Sequence, residues 1–351
     1  VSTDPTTALD VDPDLDAMLD KLFAEVAASA DADGPLDRGL WAQVAGLGLT
    51  LLTTSEQQGG SGAGWPEAWA LHRAAARHAV PLPLGEHDLL GRRLVDHVGW
   101  SVGDDVLTVG AGPAGGEVTV PWGADVDTVL LVEDGPDGAV VSRHRASDLD
   151  WSRAGQLPGT RRVRTRVPTG TATVPLAREV RDELRRRGAL LRSVQVVGAL
   201  ERCVDVAVEH AHVRTQFGRP LVAFQAVQGM LADAASEVAL ARAAVVAAVR
   251  EAAVTGAAGS MADLGAAHLA VAVAKSCSGH AVAPVTRHAH QVLGAIGTTR
   301  EHELHRFSMP ALAWRADFGT ADEWDAELGA AVDQHGFTTQ WRSLVDGVGH
   351  G

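Results

Sequence analysis

The sequence is short of the residues that crosslink a chain or make it cationic. Its only cysteines are Cys203 and Cys277. They stand far apart without metal-ligand spacing, which argues against a disulfide framework or a thiolate zinc site; both are expected to be buried, reduced thiols. Its only lysines are Lys21 and Lys275, so nearly all positive charge is arginine. That bias fits a GC-rich genome as readily as a demand for bidentate anion contacts. Cations are scarce altogether: 30 Lys+Arg against 44 Asp+Glu give a formal charge of −14, the opposite of the basic face that tracks nucleic-acid phosphates. No apolar run reaches the ~18 residues of a membrane span, and the acidic opening VSTDPTTALDVDPDLD does not read as a signal peptide. The expectation is a cytoplasmic protein that binds neither nucleic acid nor membrane.

What is present fits a globular chain. With 351 residues and 46% hydrophobic content, it is long enough for two or three compact units. After a polar start, LDAMLDKLFAEVAA places Leu15, Met18, Leu19, Leu22 and Val26 at helical steps, and LWAQVAGLGLTLL continues with an amphipathic segment broken by glycines. SEQQGGSGAGWPEAW reads as a Gly-rich loop and a helix opening near Pro66. Beyond Gly99 the pattern changes to short β-branched runs, VLTVG, EVTVP, TVLLVE and GAVVSR, punctuated by turn residues. From about residue 177 the chain is helical again. Val197, Leu200, Val204 and Ala211 share one stripe, and Val227, Leu231, Ala234, Val238 and Ala241 the next. A third, alanine-rich helix is expected from Met261 to Val282 and a fourth from about Glu301 to Ala316. The fold class is therefore mainly α with a central β domain: an N-terminal helical domain at 1–97, an abbreviated β barrel or sandwich at 98–175, and a C-terminal four-helix bundle at 176–351.

Between the first two bundle helices lies RTQFGRPLVAFQAVQGMLAD, residues 214–233. This order of elements and this motif resemble the acyl-CoA dehydrogenase family, whose Arg-x-x-Phe-Gly turn is followed by Phe-Gln and Leu-Ala-Asp. LGLTLLTTSEQQGGSG is similar to its N-terminal Gly-Gly-x-Gly stretch. QVLGAIGTTREHELHRF is similar to its Gln-x-x-Gly-Gly-x-Gly stretch, with Ala295 at the second glycine. The resemblance implies FAD, with the bundle motifs of one subunit reaching the flavin of its neighbour. Arg214 would approach the pyrophosphate with Gln216 and Phe217 beside it, Phe224 and Gln225 following in the same motif, and Gln291, Leu293, Gly294 and Ala295 would line the adenosine end. The chemistry is sound apart from the family. A guanidinium fork matches paired phosphate oxygens, and small residues let backbone N–H groups come close to a ligand. Each residue also has a plain reading: Arg214 as a cation at a helix C-terminus, Phe217 and Phe224 as core, Gly294 and Gly297 as helix terminators.

The resemblance breaks where catalysis would be. The family's reaction removes the proton α to a thioester, which requires a placed carboxylate. In many members this is a Glu before Gly-Thr; in WRADFGT that place holds Phe318. A second family position, on the first bundle helix, falls near Gly188, where RDELRRRGALL has no carboxylate and Glu183 is more than a turn away. Asp317 is the nearest displaced candidate. The β region also lacks the Thr-Glu-Pro-x-x-Gly-Ser stretch that seats a flavin ring, although Trp122 is retained early in VPWGADVDTVLLV. Both losses resemble the non-catalytic chain of heteromeric actinobacterial acyl-CoA dehydrogenases. The partner expected is a catalytic acyl-CoA dehydrogenase chain sharing its FAD, in an α2β2 assembly acting on an acyl-CoA such as a sterol side-chain thioester. Two alternatives stay open: a self-sufficient homo-oligomeric flavoprotein using Asp317 or a histidine, and a flavin-free scaffold subunit. His288, His290, His302 and His305 lack an acid or cysteine with metal-ligand spacing and read as a solvated or phosphate-proximal face, Glu301 and Glu303 as first-turn acids, and VGAGPAGGEV as β-turns.

Overall fold

The computed structural model describes residues 9, 11–29, 34–135, 138–153, 161–255, 267–336 and 338. Helices α1 (Pro13–Ser29) and α2 (Arg38–Gly46) open the fold. Asp37 caps α2 by accepting the N–H groups of Gly39 and Leu40, donors that a helix start otherwise leaves unpaired. A glycine-rich loop leads to α3 (Trp65–Arg77), with Pro66 in its first turn and Glu67 accepting the N–H of Gly64. The loop is anchored from a π-helical stretch, Glu86–Arg92, which runs into α4 (Arg93–His97). Asp88 of that stretch is buried, and its two oxygens accept the N–H and hydroxyl of both Thr53 and Thr54. Burial pushes this carboxyl's pKa up, opposed by those bonds and by Arg93.

Among the described residues seven strands follow: β1 (Leu107–Pro113), β2 (Val118–Pro121), β3 (Thr128–Gly135), β4 (Gly138–Arg145), β5 (Ser152–Arg153), β6 (Arg162–Thr165) and β7 (Val174–Leu176). They form one sheet in the order β5-β6-β2-β1-β3-β4-β7. Its pairs are antiparallel except β1 with β3, parallel from Leu107 opposite Thr128 to Pro113 opposite Asp134. Successive side chains point to opposite faces, so the sheet is greasy on both. Leu107, Val109, Leu130 and Val132 face the core of the C-terminal helices, while Val118, Val120, Val129 and Leu131 pack with Leu19, Phe23, Val44 and Leu71 of α1 to α3. The sheet takes in more chain than the four apolar runs suggest. The arginine-rich β6 carries no such pattern, and its pairing with β2 is a tertiary contact.

The long helix α5 (Arg178–Val213) crosses α3 closely enough that a Cβ at Gly198 would lie 2.3 Å from the Arg73 carbonyl oxygen. A two-stranded hairpin, β8 (Thr215–Gln216) and β9 (Arg219–Pro220), then connects α5 to α6 (Gln225–Thr255). The helix expected over 261–282 is described as α7 (His268–Leu293), with residues 261–266 outside the described ones. It runs past Val282, despite Pro284, because Val285, Ala289 and Val292 extend the buried stripe. The fourth expected helix is shorter, α8 (His305–Trp314), and α9 (Ala321–His335) was not foreseen. Its start is marked by a capping box, Thr320 with Glu323. Both cysteines are free, but only Cys203 is buried; Cys277 is half-buried. Among the described residues no helix is long and apolar enough to cross a membrane.

Replacing Asp88 by Ala strands two buried N–H groups and two hydroxyls at Thr53 and Thr54. At about 1–3 kcal/mol for each unsatisfied donor, D88A should lose at least about 3 kcal/mol of stability. A urea midpoint equal to that of the wild type would show that the loop is anchored elsewhere.

Candidate functional site

Backbone strain marks three places. The described non-glycine residues with left-handed backbone are Ala79, Trp122, Arg161, Phe217 and Phe318, each costing on the order of 1 kcal/mol or more. Phe217 is at the tip of the β8–β9 hairpin, Phe318 lines one cleft, and Ala79, Trp122 and Arg161 line another.

At the hairpin, Arg214 ends α5 in extended conformation. Its N–H donates to His210, its carbonyl accepts from Leu221, and its side chain is exposed with no carboxylate partner among the described residues. Gln216 pairs with Arg219 across the hairpin, and Phe217 (φ 51°) and Gly218 (φ 80°) make the turn. Phe217 is 90% exposed. Its ring meets the half-buried Phe224 edge-on at 6.2 Å, and the Arg219 guanidinium lies 4.0 Å over Phe224. Gln225 is exposed at the start of α6. At the end of α7, Gln291, Gly294 and Ala295 are exposed, whereas the Leu293 side chain is in the core, so what Leu293 can offer a ligand is backbone. His210, one turn before Arg214, lies 6.5 Å from His302. The turn after α5 and the segment after α7 therefore occupy the same end of the bundle.

The second place is a cleft between the sheet and the start of α5, lined by Val109, Ala111, Thr119, Leu184, Phe318 and Gly319 among others. Here the two positions considered for a base meet. A Cβ on Gly188 would fall 2.4 Å from the Phe318 ring carbons, so the ring rests on bare helix backbone and no carboxylate stands at either point. The indole N–H of Trp324 donates to the Phe318 carbonyl and holds the turn. Asp317 is held by ion pairs on both oxygens. One oxygen accepts from Arg192 at 3.0 Å and the other from Arg162, and the side chain is 9% exposed. Arg192 is itself buried and bonded to Glu86 at 2.8 Å. Burial opposes its charge, but Glu86 and Asp317 outweigh that and raise its pKa.

The third place lies beyond this network and shares Pro121, Arg162, Arg192 and Asp317 with the second. Its own walls include His72, Trp122, Arg306 and Trp314. Arg161 sits 4.4 Å over the Trp122 ring. His72 is buried with both ring nitrogens unpartnered, and burial, then Arg192, lowers its pKa to about 3.

Two contributors lie outside the sequence reading. Buried Lys275 donates to the carbonyls of Trp314 and Arg315, fixing the chain just before Asp317; burial lowers its pKa to about 7, against the pull of Asp317. A lone lysine in an alanine-rich helix was its only signal. His72 is likewise invisible among the alanines of α3. The histidines considered as a cluster do not form a metal group among the described residues. His280, Asp322 and Asp325 are the group with compatible spacing, and all three are exposed.

With this geometry in view, comparison with known proteins is specific. Residues 186–323 match the family described as acyl-CoA dehydrogenase, C-terminal domain. The acyl-CoA dehydrogenase IpdE2 of Mycolicibacterium smegmatis is 27% identical over 80% of this chain and 84% of its own length. Among solved structures, a chain of the ChsE4–ChsE5 complex from Mycobacterium tuberculosis aligns with TM-score 0.79 at 23% identity, covering 95% of this chain and 98% of that one. A chain of the Tcur3481–Tcur3483 steroid acyl-CoA dehydrogenase aligns with TM-score 0.75 at 21% identity, covering 92% and 97%. The fold is thus that of the acyl-CoA dehydrogenases, mainly helical around a central sheet. The chain is similar to acyl-CoA dehydrogenases over most of its length, and the family model itself matches its C-terminal part.

The buried histidines set the acid limb of stability. His72 and His87 both have folded pKa values lowered to about 3, chiefly by burial, against about 6.5 unfolded. The unfolded chain takes up these protons first, so their contribution is whole above about pH 6.5 and falls toward pH 3 by roughly 1.4 kcal/mol per pH unit for each histidine. H72F should remove one histidine's share of that slope in urea midpoints measured from pH 7 to 4. An unchanged slope would mean that His72 is not held neutral.

Proposed function

We propose that this chain is the subunit of a heteromeric, FAD-dependent acyl-CoA dehydrogenase that completes its partner's flavin site and supplies no catalytic base. The observation that carries the reading is Phe318 resting on Gly188, which leaves both base positions without a proton acceptor. Asp317, the alternative, has each oxygen bonded to a guanidinium. Likeness to chains of two-component assemblies, one of them a steroid acyl-CoA dehydrogenase, supports a partner of the same family and a steroid-derived acyl-CoA as substrate class.

The residues at the bundle end fit part of FAD. The Arg214 guanidinium, with no carboxylate partner among the described residues, suits a diphosphate, the exposed backbone at Gly294 and Ala295 leaves room for close approach of a polar ligand, and Phe217 offers an open aromatic face. When bound, FAD supplies the acceptor for a hydride leaving the β carbon of the acyl group. This chain's own work is binding. Arg214 neutralises phosphate charge, Gln216 and Gln225 offer amide hydrogen bonds, and the Phe217–Phe224 pair excludes water from the rim. Removal of the α proton falls to the partner.

The chain purified alone should be colourless and inactive on acyl-CoA. Co-expressed with a catalytic acyl-CoA dehydrogenase chain it should give a yellow complex, and R214A should weaken flavin retention about tenfold or more, the range of a charge-assisted hydrogen bond. Turnover by the lone chain, or full flavin occupancy in an R214A complex, would refute the assignment.

A further inference from the structure

We propose that the cleft walled by His72, Trp122, Arg306 and Trp314 is a binding site for a small organic carboxylate with an apolar ring body. Four guanidinium groups line it, Arg161, Arg162, Arg192 and Arg306, against two carboxylates, Glu86 and Asp317. Both carboxylates are committed to Arg192, and Asp317 also to Arg162. Arg306 has no such partner among the described residues, and its Nε and one terminal nitrogen are buried and unbonded. The Nε of Arg162 is in the same state, as are both nitrogens of His72, which is 2% exposed.

Buried donors in native proteins are nearly always paired, and each left unpaired costs about 1–3 kcal/mol. Donors from α3, β6 and α8 left open around one cleft in a chain of net charge −14 describe a site kept for an anion. His72 stays neutral at ordinary pH and offers one N–H; Arg306 offers the charge. The remaining wall excludes a bare inorganic ion as the best occupant. Trp122 and Trp314 line it, and Ala75, Ala79, Leu82 and Pro310 add apolar surface, so a ligand covering it gains from burying its own hydrocarbon. The left-handed backbone at Ala79, Trp122 and Arg161 keeps that wall in an unusual shape. The inference uses none of the residues assigned to the flavin, although Arg162, Arg192 and Asp317 also wall the Phe318 cleft.

The test is calorimetric titration of the full chain, without flavin or CoA, using cyclohexanecarboxylate, its neutral counterpart cyclohexylmethanol, and inorganic phosphate. The carboxylate should bind one per chain and quench tryptophan fluorescence, with the alcohol and phosphate each at least about tenfold weaker. R306Q should weaken the carboxylate about tenfold and leave the alcohol unchanged. R306K, which keeps the charge, should recover part of the loss, and equal urea midpoints would show that the variants are folded. Equal binding of acid and alcohol, phosphate binding as tightly as the ring acid, or undiminished binding to folded R306Q would each overturn the proposal.

Discussion

Arg192 is where the separate parts of this chain are tied together. Its guanidinium is buried at the middle of α5 and is neutralised by Glu86 from the π-helical stretch and Asp317 from the turn after α8; Asp317 is shared in turn with Arg162 of β6. Four segments from all three structural layers thus meet at one charge. Such a network adds little net stability compared with an apolar core, but losing one member leaves the others buried and unpaired, at about 3–5 kcal/mol. Its value here is positional. Arg162, Arg192 and Asp317 form the common wall of the two clefts, and Glu86 lines the third place alone.

The same tie holds in place a carboxylate very near the expected catalytic position. Each oxygen of Asp317 already accepts from a guanidinium. The turn that carries it is fixed from both sides. Lys275 holds the carbonyls of Trp314 and Arg315, and Trp324 holds the carbonyl of Phe318. Phe318 is thereby kept at positive φ with its ring over Gly188. A single exchange of Phe318 for Glu would restore the residue type but would place a second carboxylate beside Asp317, where like charges oppose each other's ionisation.

Local patterns in the sequence reveal the order of the layers and the motif at the bundle end because both rest on short-range signals. The 3.6-residue stripes of α5 and α6, the β-branched runs of β1 to β4, and RTQFG between two helices need no knowledge of distant contacts. Phe318 could be recognised as a missing acid through the family resemblance. The third cleft had no such signal. His72 is one residue among the alanines of α3, Arg162 lies in a run of arginines, and Arg306 ends a mixed run of histidines and acids. Their meaning arises only when α3, β6 and α8 converge, and neither periodicity nor motif spacing encodes that convergence. The missed α9 is a different failure, since its Thr320–Glu323 capping box is a local signal overshadowed by the glycine before it.

The distribution of charge and strain separates the two kinds of surface this chain offers. At the bundle end the aromatic and the cation are presented outward: Phe217 is 90% exposed and Arg214 is solvated. An isolated monomer gains nothing from holding a phenylalanine in water at positive φ. Covering one contributes about 1.5–3 kcal/mol, and the hairpin is already in the shape to be covered, so little ordering entropy would oppose association. In the third cleft, cations and aromatics are turned inward and its donors are left open. A protein surface cannot enter that space, whereas a small anion can. The fold therefore presents one aromatic and cationic patch outward and a second set of cations and aromatics around a cleft, with the Arg192 network between that cleft and the one lined by Phe318.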